Sequence, residues 1–214
     1  MTRNLNEKDT SAASYSERLQ KFEKSWKRIL RAHYPYMKSI QKQKLGKSLD
    51  IGCGIGRVLT WLPEGSVGID HNETSINLCK TRGLTAFTVL EFHEAVSRKE
   101  IDYGSFDSLV MTHLLEHLEI DQQKSIFEEY LRYLKPGGKI FIVTPQEMGF
   151  KSDHTHITFT DLTATKKLLE VFGIKIISQQ SFPLPRFFGR IFKYNEFHTL
   201  GIGNTTKNQI YPVI

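Results

Sequence analysis

Two groups of residues in this sequence have the types and spacing of a chemical site. The first is Leu49-Asp50-Ile51-Gly52-Cys53-Gly54-Ile55-Gly56-Arg57, an apolar run that breaks into glycines at alternate positions. Glycines bend the backbone tightly there and leave its amides open to a ligand that side chains would screen. Asp70 closes the next apolar run, Val67-Gly68-Ile69-Asp70, with His71 beside it. A carboxylate at a strand tip can accept protons from both hydroxyls of a ribose. Dinucleotide sites carry GxGxxG at such a turn, whereas this run is GxGxG with Asp50 ahead of it.

The second group is polar and titratable. His113, Glu116 and His117 stand at i, i+3 and i+4, a spacing that shares one face if the segment is helical. His154-Thr155-His156 follows a later apolar strand, and neighbouring parallel strands open onto one crevice at their carboxyl ends. Convergence of the two clusters is expected to give a carboxylate and two or three imidazoles. His113, Glu116, His117 and His156 are therefore candidate acid–base residues and candidate ligands for a divalent ion such as Mn²⁺, Fe²⁺, Co²⁺ or Zn²⁺.

Positioning these groups requires a sheet. From Lys47 onward short apolar runs alternate with helix-like segments, the pattern of a parallel sheet covered on both faces. Strands are expected near 48–51, 66–69, 85–89, 106–111, 139–144 and 174–179. Asn72 is expected to cap a helix that Gly83 ends, Asp121 one that stops at Pro136-Gly137-Gly138, and Thr160 the helix 161–172 before Gly173. Residues 1–15 have the composition of a disordered tail, and 16–46 read as a helical segment with a basic face. Residues 47–214 form the main part of a single domain, and the aromatic-rich segment 182–197 is expected to supply an edge strand or wall a substrate pocket.

Length and composition narrow the classes. The 214 residues suit one well-packed domain, and 39% hydrophobic content argues against global disorder. No apolar run reaches the roughly 18–20 residues of a membrane span, and the polar N-terminus lacks a signal-peptide centre, so a cytoplasmic protein without stable membrane insertion is expected. Cys53 and Cys79 have no CxxC spacing and read as reduced thiols. The net charge of +6 admits nucleic acid or an anionic surface as partner. Much of the excess lies in 18–47, where an amphipathic helix with a solvated basic face explains it.

The glycine turn, Asp70, the segment Phe106-Asp107-Ser108-Leu109-Val110 with His113-Leu114-Leu115-Glu116-His117-Leu118, and the turn Leu134-Lys135-Pro136-Gly137-Gly138-Lys139-Ile140 occur in one order. In this the chain resembles the class I S-adenosylmethionine-dependent methyltransferases, whose first motif is D-x-G-x-G-x-G. The resemblance spans about residues 46–180. It implies a doubly wound, mostly parallel seven-stranded α/β sheet with helices on both faces and an antiparallel edge strand. It further implies S-adenosylmethionine as cofactor, held by Asp50, Gly52, Cys53, Gly54, Gly56, Asp70 and His71, with Glu91 and Phe92 by the adenine and Thr112 and His113 at the fourth strand.

Glu116, His117 and His156 also resemble the E-x-x-E-H plus downstream His pattern of small-RNA 2′-O-methyltransferases and the related segment of ubiquinone-biosynthesis O-methyltransferases. Position 113 departs, being His where those families carry Glu. Acceptor specificity lies outside the shared motifs. The expectation is O-methylation of a small molecule, sugar or lipid-linked precursor, with RNA as the alternative acceptor and a non-catalytic cofactor-binding protein as the alternative of another class. N-methylation lacks the Asn/Asp-Pro-Pro-aromatic signature after the fourth strand, where Thr112-His113-Leu114-Leu115 stands. His33, His71, His93 and His198 read as surface or packing residues, with His71 near the ribose.

Overall fold

The computed structural model describes residues 30–203 of the chain. The expected tail at 1–15, residues 16–29 of the N-terminal segment and residues 204–214 lie outside the described residues. The chain supplies seven strands: β1 (Ser48–Ile51), β2 (Val67–Asp70), β3 (Ala86–Thr88), β4 (Phe106–Thr112), β5 (Leu134–Pro145), β6 (Lys175–Phe182) and β7 (Glu196–Ile202). Their order in the sheet is β3-β2-β1-β4-β5-β7-β6. The first five pair in parallel. β7 runs antiparallel between β5 and β6, so the reversed strand stands one place in from that edge.

β4 shows why the sheet is covered twice. Leu109 and Met111 enter the larger core with Phe92, Phe106, Phe127 and Leu169. Val110 points the other way, joining Ile40, Leu45, Phe141, Val143 and Leu200. Strand side chains alternate faces, so an unbroken apolar run needs cover on both. The described helices are α1 (Leu30–Gln41), α2 (Glu73–Thr81), α3 (Val89–Ser97), α4 (Ile120–Tyr130), α5 (Glu147–Lys151) and α6 (Leu162–Val171).

Helix caps account for the differences from the expected boundaries. Asn72 caps α2 as expected, accepting from the Ser75 amide at 3.0 Å. The third strand stops at Thr88 because Thr88 and Glu91 form a reciprocal capping box that starts α3. Glu119, rather than Asp121, caps α4, with Gln122 completing its box. Asp161, rather than Thr160, caps α6 and accepts from Ala164 at 2.8 Å. Thr160 is instead buried against the Gln123 amide, 3.1 Å away. The segment after β6 is a strap whose 3-10 turn, Arg186–Arg190, precedes β7. β1 and β4 are neighbours from which the order runs opposite ways, and open α/β sheets bind ligands in the crevice at that switch.

Candidate active site

The glycine turn leaves β1 at this switch point. Gly52, Gly54 and Gly56 all adopt positive φ, at 74°, 54° and 77°, which favours glycine. They differ in what surrounds them. A Cβ on Gly52 would meet Leu114 at 2.9 Å and one on Gly56 would meet Leu84 at 2.5 Å, whereas one on Gly54 would meet nothing within 4 Å. Gly54 is therefore the point at which the backbone is bare toward the crevice. The buried thiols of Cys53 and Cys79, both free, donate to its carbonyl from beneath at 3.6 and 3.4 Å.

Asp70 ends β2 beside this turn. Its carboxylate accepts from the Gly54 amide and the Asn72 amide, each at 2.8 Å, so it fixes the turn while each oxygen keeps a further lone pair. His71 is exposed, with Nδ1 3.4 Å from the same carboxylate. Asp50 differs from Asp70: it is fully buried, and neither of its oxygens has a partner among the described residues. Burial, helped by the Asp70 carboxylate, pushes its pKa up to about 7. An orphaned buried carboxylate is costly, and beside a bare glycine turn it fits a cationic ligand group such as an ammonium.

The sign of this cost gives a prediction. Asp50 titrates higher in the folded chain than in the unfolded chain, so its ionisation destabilises the fold progressively as pH rises from about 4 to 7. Asp50→Asn is expected to raise the stability of the ligand-free protein at pH 8 by roughly 4 kcal/mol and to leave it nearly unchanged near pH 4. Urea unfolding at the two pH values measures this; an equal effect at both would contradict it.

The second group assembles around the end of β4. The condition for a shared helical face over 113–117 is not met: His113 turns the chain at φ 55°, and Leu115–His117 form a 3-10 turn. The Glu116 carbonyl accepts the Ile157 and Thr158 amides at 2.8 and 3.1 Å, which ties the 154–158 loop to this turn. Glu116, His117 and His156 then bring one ligand atom each within 4.8 Å of one another. Glu116 is fully buried, and its Oε2 has no partner among the described residues.

Both imidazoles in this group are oriented by their Nδ1 atoms. His156 Nδ1 lies 2.9 Å from the Phe150 carbonyl. His117 Nδ1 lies 3.3 Å from the Thr155 carbonyl and 3.1 Å from Thr155 Oγ1. That hydroxyl donates to Asp153 at 2.7 Å, so it accepts from His117. Each ring thus donates from Nδ1 to these anchors and leaves Nε2 as the nitrogen available to a metal ion or a departing proton. Burial holds the His117 pKa below the ordinary imidazole value, which keeps the ring neutral.

His113 stands outside this donor group. Its Nδ1 is 3.2 Å from Glu116 and its Nε2 is 3.0 Å from Glu196. Burial disfavours its charge, but the Glu196 and Glu116 carboxylates outweigh burial and push its pKa up to about 10. A ring with both nitrogens protonated and engaged can neither ligate nor accept a proton, which corrects the expectation of His113 as metal ligand or base. Glu196, opposed by burial but held by His113, falls to about 2. It also contacts His198 Nε2 at 3.3 Å.

His198 is therefore no surface residue. It is buried and stacks on Phe182 at 4.9 Å, with Tyr36 at 5.9 Å. Tyr36 in turn meets Trp61 at 5.6 Å, and its buried hydroxyl has no partner among the described residues. Tyr36, Glu196 and His198 were not legible in the sequence, since long-range pairing of β7 brings the last two to the crevice. Of the two residues expected by the adenine, Phe92 is placed elsewhere and Glu91 already has partners. Phe92 is fully buried against Tyr133 in the core, and Glu91 serves its own helix cap and Lys80, 2.7 Å away. The exposed apolar groups at the β3 tip are Val89 and Leu90. Thr112 is buried at the β4 tip.

Sheet order, glycine turn and acidic β2 tip together define a Rossmann-like methyltransferase fold. A family model described as a methyltransferase domain matches residues 49–142, the stretch from β1 into β5, so this part of the chain is similar to methyltransferase domains. The chain is 30% identical over 101 residues to phosphoethanolamine N-methyltransferase 3 of Arabidopsis thaliana, covering 45% of this chain and 20% of that protein. It is 30% identical over 103 residues to the ubiquinone biosynthesis O-methyltransferase of Idiomarina loihiensis, covering 46% of this chain and 42% of that protein. The aligned region thus spans less than half the length of either relative. The crystal structure of a SAM-dependent methyltransferase from Archaeoglobus fulgidus superposes with a TM-score of 0.59 at 20% identity, covering 84% of this chain and 93% of that one.

Proposed function

We propose that this chain transfers the methyl group of S-adenosylmethionine to an oxygen of a small-molecule, sugar or lipid-linked acceptor. The observation that carries the reading is a juxtaposition. The bare glycine turn at Gly54 is flanked by the orphaned Asp50 carboxylate, and Leu114, which packs on Gly52, leads into the Glu116, His117 and His156 group. When bound, the cofactor supplies an electrophilic methyl group on a sulfonium. Asp70 accepts the ribose hydroxyls, with His71 at the rim, and Asp50 faces the methionine ammonium. The backbone of Gly52, Cys53, Gly54 and Gly56 cradles the rest, and Thr112 and His113 line the β4 tip.

Methyl transfer to a hydroxyl requires an aligned oxygen and removal of its proton. Nε2 of His117, or in its place Nε2 of His156, takes that proton, and the Glu116 carboxylate stabilises the imidazolium that results. The protonated His113, held between Glu116 and Glu196, adds positive charge beside the site rather than deprotonating the acceptor. The aromatic group of Tyr36, Trp61 and Phe182 supplies an apolar wall.

A divalent ion on Glu116, His117 and His156 is a second reading, favoured by the anchoring of both Nδ1 atoms to backbone carbonyls. In that case the ion would polarise the acceptor oxygen. Oxygen acceptors, ethanolamine-type amines and RNA, each offered with labelled S-adenosylmethionine, test the assignment. Label in phenols, sugars or lipid-linked alcohols is expected; label confined to the amines, or to RNA with a steep salt dependence, would replace it.

A further inference from the structure

We propose that the strap between β6 and β7, together with α5, forms a docking surface for an anionic lipid membrane. Three large apolar side chains of the strap face outward: Phe187 is 65% exposed, Ile191 70% and Tyr194 44%, and Met148 of α5 adds another at 40%. They stand among basic groups. Lys151, Arg190 and Lys193 are exposed and make no ion pair within 4 Å among the described residues, while Glu147 is paired with Arg186. Apolar side chains interleaved with lysine and arginine suit the boundary between acyl chains and acidic headgroups.

The base of this surface is fixed. The Leu184 amide donates to Asn195 Oδ1 at 2.9 Å, and the Asn195 amide group donates to Gln146 Oε1 at 3.1 Å. The Gln146 amide group donates to Ser181 Oγ and the Glu196 carbonyl at 2.7 and 2.9 Å. A Cβ on Gly149 would stand 2.6 Å from the Lys193 carbonyl, so α5 and the strap lie backbone to backbone. Exposed apolar groups on so well anchored a loop are not the product of a loose segment. Large exposed apolar patches mark interaction sites, and the basic rim selects an anionic partner.

The surface also adjoins the site. The strap ends at Asn195, and the next residue, Glu196, holds His113. A chain resting on a bilayer through Phe187 and Ile191 would bring its crevice to the headgroup level. No helix among the described residues is long and apolar enough to cross a membrane, so the contact is peripheral. This inference does not depend on which atom is methylated.

Sedimentation of the full-length chain with vesicles of phosphatidylcholine alone, or of an equimolar mixture with phosphatidylglycerol, tests it. Binding to the anionic vesicles only, weakened at least roughly tenfold by Arg190→Glu with Lys193→Glu and again by Phe187→Ser with Ile191→Ser, is expected. S-adenosylhomocysteine affinity should be unchanged in both double variants, which separates a loss of docking from a loss of fold or cofactor site. Absence of anionic vesicle binding by the folded chain, or binding unaffected by either pair, would overturn the proposal. A concentration-dependent dimer that Phe187→Ser with Ile191→Ser dissolves, without vesicle binding, would assign the patch to a second copy instead.

Discussion

Asp70→Ala is expected to weaken binding of S-adenosylhomocysteine by about 100-fold or more. Two hydroxyl protons donated to one carboxylate are charge-assisted hydrogen bonds, each worth roughly 1.5–3 kcal/mol, and both disappear with the side chain. The loss extends to the turn, because the same carboxylate accepts the Gly54 and Asn72 amides. Without it, the one point where the backbone is bare toward the ligand has no anchor. Asp70→Asn separates the two effects. Its amide retains one acceptor oxygen but turns an N–H toward donors, so an intermediate loss is expected, together with reduced stability. Calorimetric titration on folded protein decides the matter: affinity within about threefold of the parent for Asp70→Ala would displace the ribose from β2.

How far the sequence could be read followed from how local each determinant is. The glycine turn and Asp70 are specified by short-range demands, positive φ at a strand exit and a carboxylate at a strand tip, and the fold places them side by side. The alternation of apolar runs and caps gave the parallel part of the sheet in the same way. Boundaries shifted where a neighbouring residue made the better cap: Asp161 bonds the Ala164 amide while Thr160 is drawn into the core by Gln123.

Phe92 shows the limit of transferring a role by position. The chain at the β3 tip is already helical by residue 89, and that helical phase turns Phe92 inward and leaves Val89 and Leu90 outward. The state of His113 was less accessible still. Its neighbour Glu196 is 83 positions away, and only the antiparallel insertion of β7 beside β5 brings the two together. Spacing alone made His113, Glu116 and His117 one helical face. The positive φ at 113 breaks that face and divides it into a charged histidine and a neutral one.

That division sets the second large effect. His117→Ala is expected to lower kcat by about 10²–10⁴, the range for a lost general base, while S-adenosylhomocysteine affinity changes little. His156→Ala should behave similarly if the two rings act on one acceptor, and the double variant should then fall well short of the product of the single losses. Glu116→Gln is informative because it preserves size. It removes the charge that would stabilise an imidazolium or bind an ion, and leaves the buried site filled. Addition of Zn²⁺, Mn²⁺ or Co²⁺ to metal-stripped protein splits the two chemical readings. An ion bound with an affinity that His117→Ala or Glu116→Gln abolishes, and needed for turnover, assigns the group to metal. Full turnover in chelator, lost on His117→Ala, assigns it to proton transfer. Unchanged kcat in both His117→Ala and His156→Ala would remove the group from catalysis and leave the transfer to alignment by the crevice alone, since a good methyl donor facing a sufficiently acidic acceptor needs no base.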